Sequence, residues 1–89
     1  MVQIKRLVLD ILKPHHPNAL DFSLALAKIG QEYRVYLTVI EVDENTETLQ
    51  VVVESEDINF ENIQAAINDM GGSLHSIDEV EVYNSPDLD

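Results

Sequence analysis

Cysteine is absent from the chain, and basic residues are absent from its second half. Without cysteine the protein can form neither a disulfide nor a thiolate nucleophile nor a Cys-based zinc site. No apolar run reaches the roughly 18 residues that a membrane span requires. Lys5 and Arg6 interrupt the first apolar residues, so a signal-peptide pattern is also missing. These absences predict a cytoplasmic protein that does not enter a membrane.

Charge is distributed unevenly along the chain. Residues 1–40 hold five bases and three acids, whereas residues 41–89 hold 14 acids and no base. The net charge of −12 argues against nucleic-acid binding, because phosphate contacts require clustered Lys and Arg. Solubility alone accounts for an excess of acid, but the uneven distribution also allows the base-bearing part of one copy to contact the acidic part of another.

A chain of 89 residues is enough for one small domain. Folding at this size buries only about 60–65% of the surface that the unfolded chain exposes, so the core is small. Since disulfides are excluded, association with further copies is the common remaining way to bury more surface. We assign residues 1–83 to a single domain and residues 84–89 to a flexible acidic tail.

Hydrophobic periodicity predicts four strands and two helices. Alternating apolar residues place the strands at 2–12, 33–43, 48–55 and 73–83. Helical spacing appears in two sets of apolar residues, Phe22, Ala25, Leu26 and Ile29, and then Phe60, Ile63, Ile67 and Met70. Gly30 is expected to end the first helix, Asn59 to cap the second and Gly71 to end it. In the last strand the alternation breaks on either side of Ile77, which predicts bulges or a bend.

The order β-α-β-β-α-β predicts an α+β fold of the ferredoxin-like type. Right-handed crossovers give a four-stranded antiparallel sheet in the order 4-1-3-2, with both helices on one face. The other face is predicted to carry mostly apolar side chains, namely Val8, Leu12, Tyr36, Thr38, Ile40 and Val52. Because large exposed apolar patches usually mark interfaces, this face predicts a homo-oligomer.

One group of polar residues is a candidate for ligand binding. With the first and third strands taken as parallel, one pole of the domain is expected to join Lys13, His15 and His75 to the acidic end of the third strand. An ammonium and imidazoles can hold an anion, and imidazole with carboxylate can hold a transition metal. The candidate ligand-binding residues are Asp10, Lys13, His15, His75 and Asp78. The alternative for the two adjacent histidines is a solvated corner.

A second group lies in the acidic turn at residues 43–47, which is expected at the opposite pole. Carboxylate oxygens suit Ca²⁺ or another divalent cation. The candidate metal ligands are Glu41, Asp43 and Glu47. The turn lacks the glycine and the ligand spacing of an EF-hand, so a solvated hairpin turn is the alternative. No catalytic constellation is recognisable in the chain, which favours a protein that is not an enzyme.

Three segments of the chain resemble one protein family. They read LDILKPH at residues 9–15, EVD at 41–43 and GGSLHSIDEV at 71–80. In order and spacing they are similar to domain-of-unknown-function family two hundred and eleven, a family of small archaeal proteins. The resemblance implies a ferredoxin-like fold, an archaeal cytosolic origin and homo-oligomers, with rings as one form, and it implies no activity. The matching polar positions are Asp10, Lys13, His15, Glu41, Asp43, Thr46, His75, Ser76 and Asp78.

Together these observations predict a homo-oligomer that binds a metal ion or a small ligand between subunits. Head-to-tail contact is favoured over a self-matched interface, because the latter would bring like charge to like. The basic residues of one copy would then meet acidic residues of the next; these residues are Lys5, Arg6 and Arg34 on one side and Glu79 and Glu81 on the other. The alternative is a small-molecule-sensing regulatory subunit of another protein, and an enzyme is the third hypothesis.

Overall fold

The computed structural model describes residues 1–86. Its elements, in chain order, are β1 (Val2–Pro14), α1 (Ala19–Ala27), β2 (Arg34–Val42), β3 (Thr46–Glu54), α2 (Phe60–Asp69) and β4 (Ser73–Asn84). The four strands form one antiparallel sheet in the order β2-β3-β1-β4. This is the predicted ferredoxin-like α+β fold, and the predicted strand order is confirmed.

The core lies between the sheet and the two helices. Successive side chains of a strand point to opposite faces, so every second residue of β1 and β3 can face the helices. The buried core residues are Leu7, Leu9, Ile11, Leu49, Val51 and Val53 from the sheet, Phe22 and Leu26 from α1, Ile63 and Ile67 from α2, and Ile58 from the preceding loop. The apolar stripe predicted for each helix is therefore the stripe that faces the sheet.

The helix ends follow capping rules, with one exception to the predictions. The side chain of Asn59 accepts a hydrogen bond from the Asn62 backbone N–H at 3.0 Å, which confirms the predicted cap of α2. Gly71 follows that helix with a φ of 82°, the left-handed conformation that favours glycine. The prediction for Gly30 is wrong, because α1 already ends at Ala27. The left-handed residue in the α1–β2 loop is instead Glu32, with a φ of 61°.

β1 and β3 run antiparallel, so the expectation that they run parallel is wrong. α1 carries the chain back along the sheet, so β2 runs in the same direction as β1, and the tight turn after β2 then reverses β3. The turn at residues 43–45 consequently lies beside the corner at residues 15–18; we call this end the upper pole. Glu54, at the end of β3, lies beside the start of β2 at the opposite end, the lower pole.

Both predicted irregularities of β4 are present. The register between β1 and β4 shifts once between Val8 and Leu9 and again between Asp10 and Ile11. Each shift leaves one extra residue on β4, Asp78 in the first case and His75 in the second. These two bulges explain why the apolar residues of β4 do not alternate strictly.

The sheet is longer than the helices that cover it. β1 has 13 residues and β4 has 12, whereas α2 has 10. At the usual rise per residue, these strands span about 40 Å and the helix only about 15 Å. Three apolar side chains of β4 therefore remain exposed, although they pair with Leu9, Leu7 and the partly buried Ile4 of β1; they are Ile77, Val80 and Val82.

The apolar residues predicted for the face opposite the helices differ in how far they are exposed. Val8 and Val52 pair across neighbouring strands and are only 7% and 9% exposed. Tyr36 and Ile40 are largely exposed, and Ile40 is the extra residue where the register of β2 against β3 shifts. Neighbouring side chains thus cover part of the predicted apolar surface within a single copy.

The first and last parts of the described residues lie side by side. The Ser85 backbone N–H donates to the Met1 carbonyl at 2.9 Å, and Asn84 is the last residue of β4. Of the predicted tail, residues 87–89 lie outside the described residues. None of the helices formed by residues 1–86 is long and apolar enough to cross a membrane.

Leu9→Ala should lower the free energy of unfolding by about 2–5 kcal/mol, because Leu9 is fully buried in the core and its truncation leaves a cavity. The matched control is Leu20→Ala, since Leu20 is 67% exposed on α1. Urea unfolding followed by circular dichroism, at one protein concentration, measures both variants. Equal losses of stability would contradict this assignment of the core.

Candidate functional site

Lys13 is the only charged residue among residues 1–86 whose side chain is fully buried. Its Nζ donates to the Pro14 carbonyl at 2.9 Å and to the Pro17 carbonyl at 2.8 Å. It also forms an ion pair with Glu47 Oε1 at 2.9 Å. The three N–H bonds of the ammonium match these three oxygens, so the cost of removing the charge from water is offset by complete hydrogen bonding.

The sequence places this ammonium in the interior for a simple geometric reason. Lys13 is the next core-facing position of β1 after Ile11, and it is the register partner of Glu47 on β3. Partners in an antiparallel pair project from the same face, so the ammonium and the carboxylate lie together at the upper end of the core. The last residue of β1, Pro14, and the corner that follows it, through Pro17, each direct one carbonyl towards the ammonium.

His15 connects the same corner to the turn between β2 and β3. Its Nδ1 lies 3.1 Å from Glu47 Oε2, and its Nε2 lies 2.9 Å from the Glu44 carbonyl oxygen. Protonated His15 donates to both oxygens. The hydrogen bond to Glu47, and then the bond to the Glu44 carbonyl, raises the pKa of His15 above its ordinary value.

Glu47 is the centre of this group, which we call the Lys13–Glu47–His15 network. Its two oxygens are divided between the ammonium and the imidazole. The hydrogen bond from Lys13, followed by the bond from His15, lowers the pKa of Glu47. The network therefore joins residues that were expected at opposite poles, and the carboxylate of Glu47 is paired within one copy with both Lys13 and His15.

The remaining candidate residues lie apart from the network, on the open face and the two edge strands. His75 and Asp78 are the bulged residues of β4, where the Ser76 hydroxyl donates to Asp78 at 2.7 Å. Asp10 lies on the open face of β1 between its partners Gln50 and Ser76. Glu41 and Asp43 are exposed near the end of β2, at the other edge. Within residues 1–86 no three His, Asp or Glu side chains are grouped so that they could hold a metal ion.

A row of alternating charges crosses the open face of the sheet. The registers place Arg34 opposite Glu54, Glu54 opposite Arg6, and Arg6 opposite Glu81, so that the row reaches from one edge strand to the other. Arg6 donates from Nη1 to Glu54 at 2.7 Å and from Nε to Glu79 at 2.8 Å. The expected partners Arg6 and Glu79 are thus bonded within the same copy.

The two ends of this row are unpaired. Arg34 and Glu81 each form no ion pair with any other of residues 1–86. Sequence reasoning grouped these residues only by their charge. The row itself was missed because it depends on the antiparallel register of β1 and β3, and a correct strand direction would have revealed it.

Comparison with known proteins identifies relatives of the chain but assigns no reaction to them. The model of the family DUF211, described as "Uncharacterized ArCR", matches residues 5–84. An uncharacterized protein of Methanocaldococcus jannaschii is 46% identical over 77 residues, which cover 86% of this chain and 79% of the relative. The matched region therefore includes the complete network and the complete charge row.

Lys13→Met should lower the free energy of unfolding by about 3–5 kcal/mol, because it leaves the Glu47 carboxylate and two carbonyls without their buried cation. Lys28→Met is the matched control, since Lys28 is exposed at the end of α1. Chemical unfolding at one protein concentration measures the difference. A Lys13→Met variant as stable as the Lys28→Met variant would show that the buried ion pair does not hold the upper pole together.

The network should also make stability depend on pH. The raised pKa of His15 gives stability that is fully present below the unfolded value of about 6.5 and is lost as the pH rises through the folded value. The lowered pKa of Glu47 gives stability that is present above its unfolded value of about 4.5 and is lost as the pH falls through the folded value. The network is therefore strongest between these two unfolded values.

Raising the pH from about 5.5 to about 8.5 should reduce the stability advantage of the wild type over His15→Gln, because only the wild type loses a proton from this position. His16→Gln is the control, since the exposed His16 makes no side-chain hydrogen bond within residues 1–86. Thermal melts across this pH range provide the measurement. A constant difference between wild type and His15→Gln would argue that protonation of His15 does not strengthen the network.

Proposed function

The chain belongs to the DUF211 family of uncharacterized proteins, and from its two free sheet edges we propose that it is a self-assembling protein whose copies join head to tail through β2 and β4. The observation that carries this proposal is the charge row with its unpaired ends. When the sheet of one copy continues into the next, Glu81 on β4 lies opposite Arg34 of the neighbouring β2. The row then alternates in sign without interruption across the junction.

Strand direction favours the same junction. In the order β2-β3-β1-β4 every neighbour is antiparallel, so β2 and β4 run in opposite directions. Side-by-side placement of two identically oriented copies therefore makes an antiparallel pair of β4 and the next β2. The two surfaces in contact are different, which is the head-to-tail arrangement, and such contacts form a ring when the rotation between copies closes.

Apolar side chains on the helix side of the two edges also match in this arrangement. Three rows of register partners, each crossing the sheet from β2 through β3 and β1 to β4, begin and end with an apolar residue. In the proposed arrangement these rows bring Val35 level with Val80, Leu37 level with Ile77, and Val39 level with Leu74 across the junction. The residues of β4 in the first two pairs are half exposed in one copy because α2 is too short to cover them. Their burial would supply affinity at about 25 cal/mol per Å² before the costs of association.

The bulges divide the junction into two parts. The extra residues Asp78, His75 and Ile40 lie between the middle of the sheet and the upper pole, so the bulge-free rows that both edges share run from Arg34 to Tyr36 on β2 and from Glu81 to Glu79 on β4. Bulges on edge strands interrupt backbone pairing. We therefore place the backbone pairing in these lower rows, where Glu81 meets Arg34, and leave the apolar pairs above Asp78 in side-chain contact only.

The upper half of the junction is where this proposal places a cation or small ligand. Glu41 is level with Ser73 in the sheet, so the neighbouring copy brings its bulged His75 close to Glu41. A divalent cation at this position would take carboxylate oxygens from one copy, with Asp43 as the second, and an imidazole from the next. The candidate residues of the two edge strands are thereby combined by assembly.

Charge reversal tests the proposed junction. Arg34→Glu and Glu81→Arg should each dissociate or rearrange the assembly, because each places like charges opposite one another, and the double variant should restore it. The control is Lys28→Glu, which changes the net charge as Arg34→Glu does but lies outside the row. Light scattering coupled to size exclusion, at micromolar concentration, measures the mass against the 10.0 kDa of one chain.

Two results would overturn the proposal. A wild-type protein that elutes as a monomer in moderate salt leaves no assembly to explain. An assembly that tolerates both single reversals, or one that the double variant does not restore, must be held by a surface other than the two edges. Restoration only in the double variant would identify Arg34 and Glu81 as partners in neighbouring copies.

A further inference from the structure

An open cleft of about 380 Å³ lies at the lower pole, away from the Lys13–Glu47–His15 network. It is formed where the α1–β2 loop, the start of β2 and the end of β3 surround the bulge of β1 at Lys5. The residues that line it all carry polar or charged groups; they are Lys5, Glu32, Arg34, Glu54, Ser55 and Glu56. The cleft therefore presents both signs of charge to a ligand.

Two cations of this cleft are available to a ligand. Of the five basic residues, Lys13 is buried in the network and Arg6 is held by two glutamates. Lys5 and Arg34 both line the cleft. The contact between Lys5 Nζ and Glu56 is long, at 3.5 Å, and the ammonium lies 5.7 Å from the centre of the Tyr83 ring. Both cations can therefore accept an additional carboxylate partner.

The acids of the cleft determine which anion can enter. Glu54 is already bonded to Arg6, which leaves the exposed Glu32 and Glu56 facing the two cations. Two cations and two carboxylates give no net attraction for a dianion such as phosphate, because like charges in the cleft oppose its entry. A small molecule that carries one positive and one negative group can satisfy both signs at once.

We propose that the lower-pole cleft binds a small zwitterion of the α-amino acid class, with the carboxylate on Arg34 and Lys5 and the ammonium on Glu32 and Glu56. Arg34 presents five N–H donors in a planar fork, which suits bidentate binding of a carboxylate. Ser55 adds a hydroxyl that can donate to the ligand carboxylate. The volume of about 380 Å³ can hold a single amino acid or a molecule of similar size.

The cleft also adjoins the junction described above. Arg34 belongs to both sites, and in this respect the inference rests on the proposed function. The N–H donors of its guanidinium would be divided between Glu81 of the next copy and the carboxylate of the ligand. Binding would then be coupled to assembly. Lys5 and Glu32 do not belong to the charge row, which allows the two sites to be separated by substitution.

Isothermal titration of the complete chain with L-alanine tests the ligand class. Three further compounds serve as matched probes. L-Lactate has a hydroxyl in place of the ammonium, alaninamide lacks the carboxylate, and inorganic phosphate is an anion without an ammonium. L-Alanine should bind, and each of the other three should bind at least about tenfold more weakly, because each leaves one sign of the cleft unpaired. Tighter binding of phosphate than of L-alanine would overturn the assignment to a zwitterion.

Substitutions locate the binding in this cleft. Lys5→Gln and Glu32→Gln should each weaken L-alanine binding by about tenfold or more, whereas Lys28→Gln should not change it. The mass measured by light scattering should remain that of the wild type in all three variants, so loss of the ligand is distinguished from loss of assembly. Absence of L-alanine binding to the wild type, or binding that survives both cleft substitutions, would refute the site even if the assembly is intact.

Discussion

The direction of β3 relative to β1 decides which side chains of this chain can meet. Because the two strands are antiparallel, Glu47 near the start of β3 lies beside Lys13, and Glu54 at its end lies beside Arg6. The first pair becomes a buried ion pair at the upper pole, and the second becomes the middle of a charge row at the lower pole. Reversing β3 would leave the ammonium of Lys13 buried without a carboxylate, at a cost of several kcal/mol. One hairpin therefore determines both the closed network and the open row.

The buried ammonium is best understood as a device of specificity. An apolar pair of similar volume at Lys13 and Glu47 would fill the same space, and such replacements are often neutral or stabilising. With an apolar pair, β3 could also pair with β1 in other registers. A buried ammonium at Lys13 allows only the registers that place hydrogen-bonding oxygens around it. His15 extends this requirement to the corner before α1. We infer that the network selects the register of β3 on β1, from which the alignment of the charge row follows.

Local patterns predicted the elements well, and failed where distant segments had to be placed. The helix stripes, the cap at Asn59 and the bulges around Ile77 follow from neighbouring residues, and all three predictions are confirmed. The prediction that Gly30 ends α1 was wrong, because a glycine in a loop does not show which residue adopts the left-handed conformation. The candidate site required the relative direction of two strands, which no local spacing contains. The position of Lys13 in phase with Leu9 and Ile11 was a readable signal of a buried charge.

The net charge of −12 constrains how copies can associate. Each added copy brings more negative charge, and the repulsion between whole copies is long-ranged at low ionic strength and largely screened beyond about 8 Å at physiological salt. A single exposed pair such as Glu81 with Arg34 contributes little affinity of its own, at most about 1 kcal/mol. The affinity of the proposed junction must therefore come from the apolar rows on the helix side. The charge row instead excludes misaligned junctions, because a shift by one residue places the row against the apolar side chains of the other face.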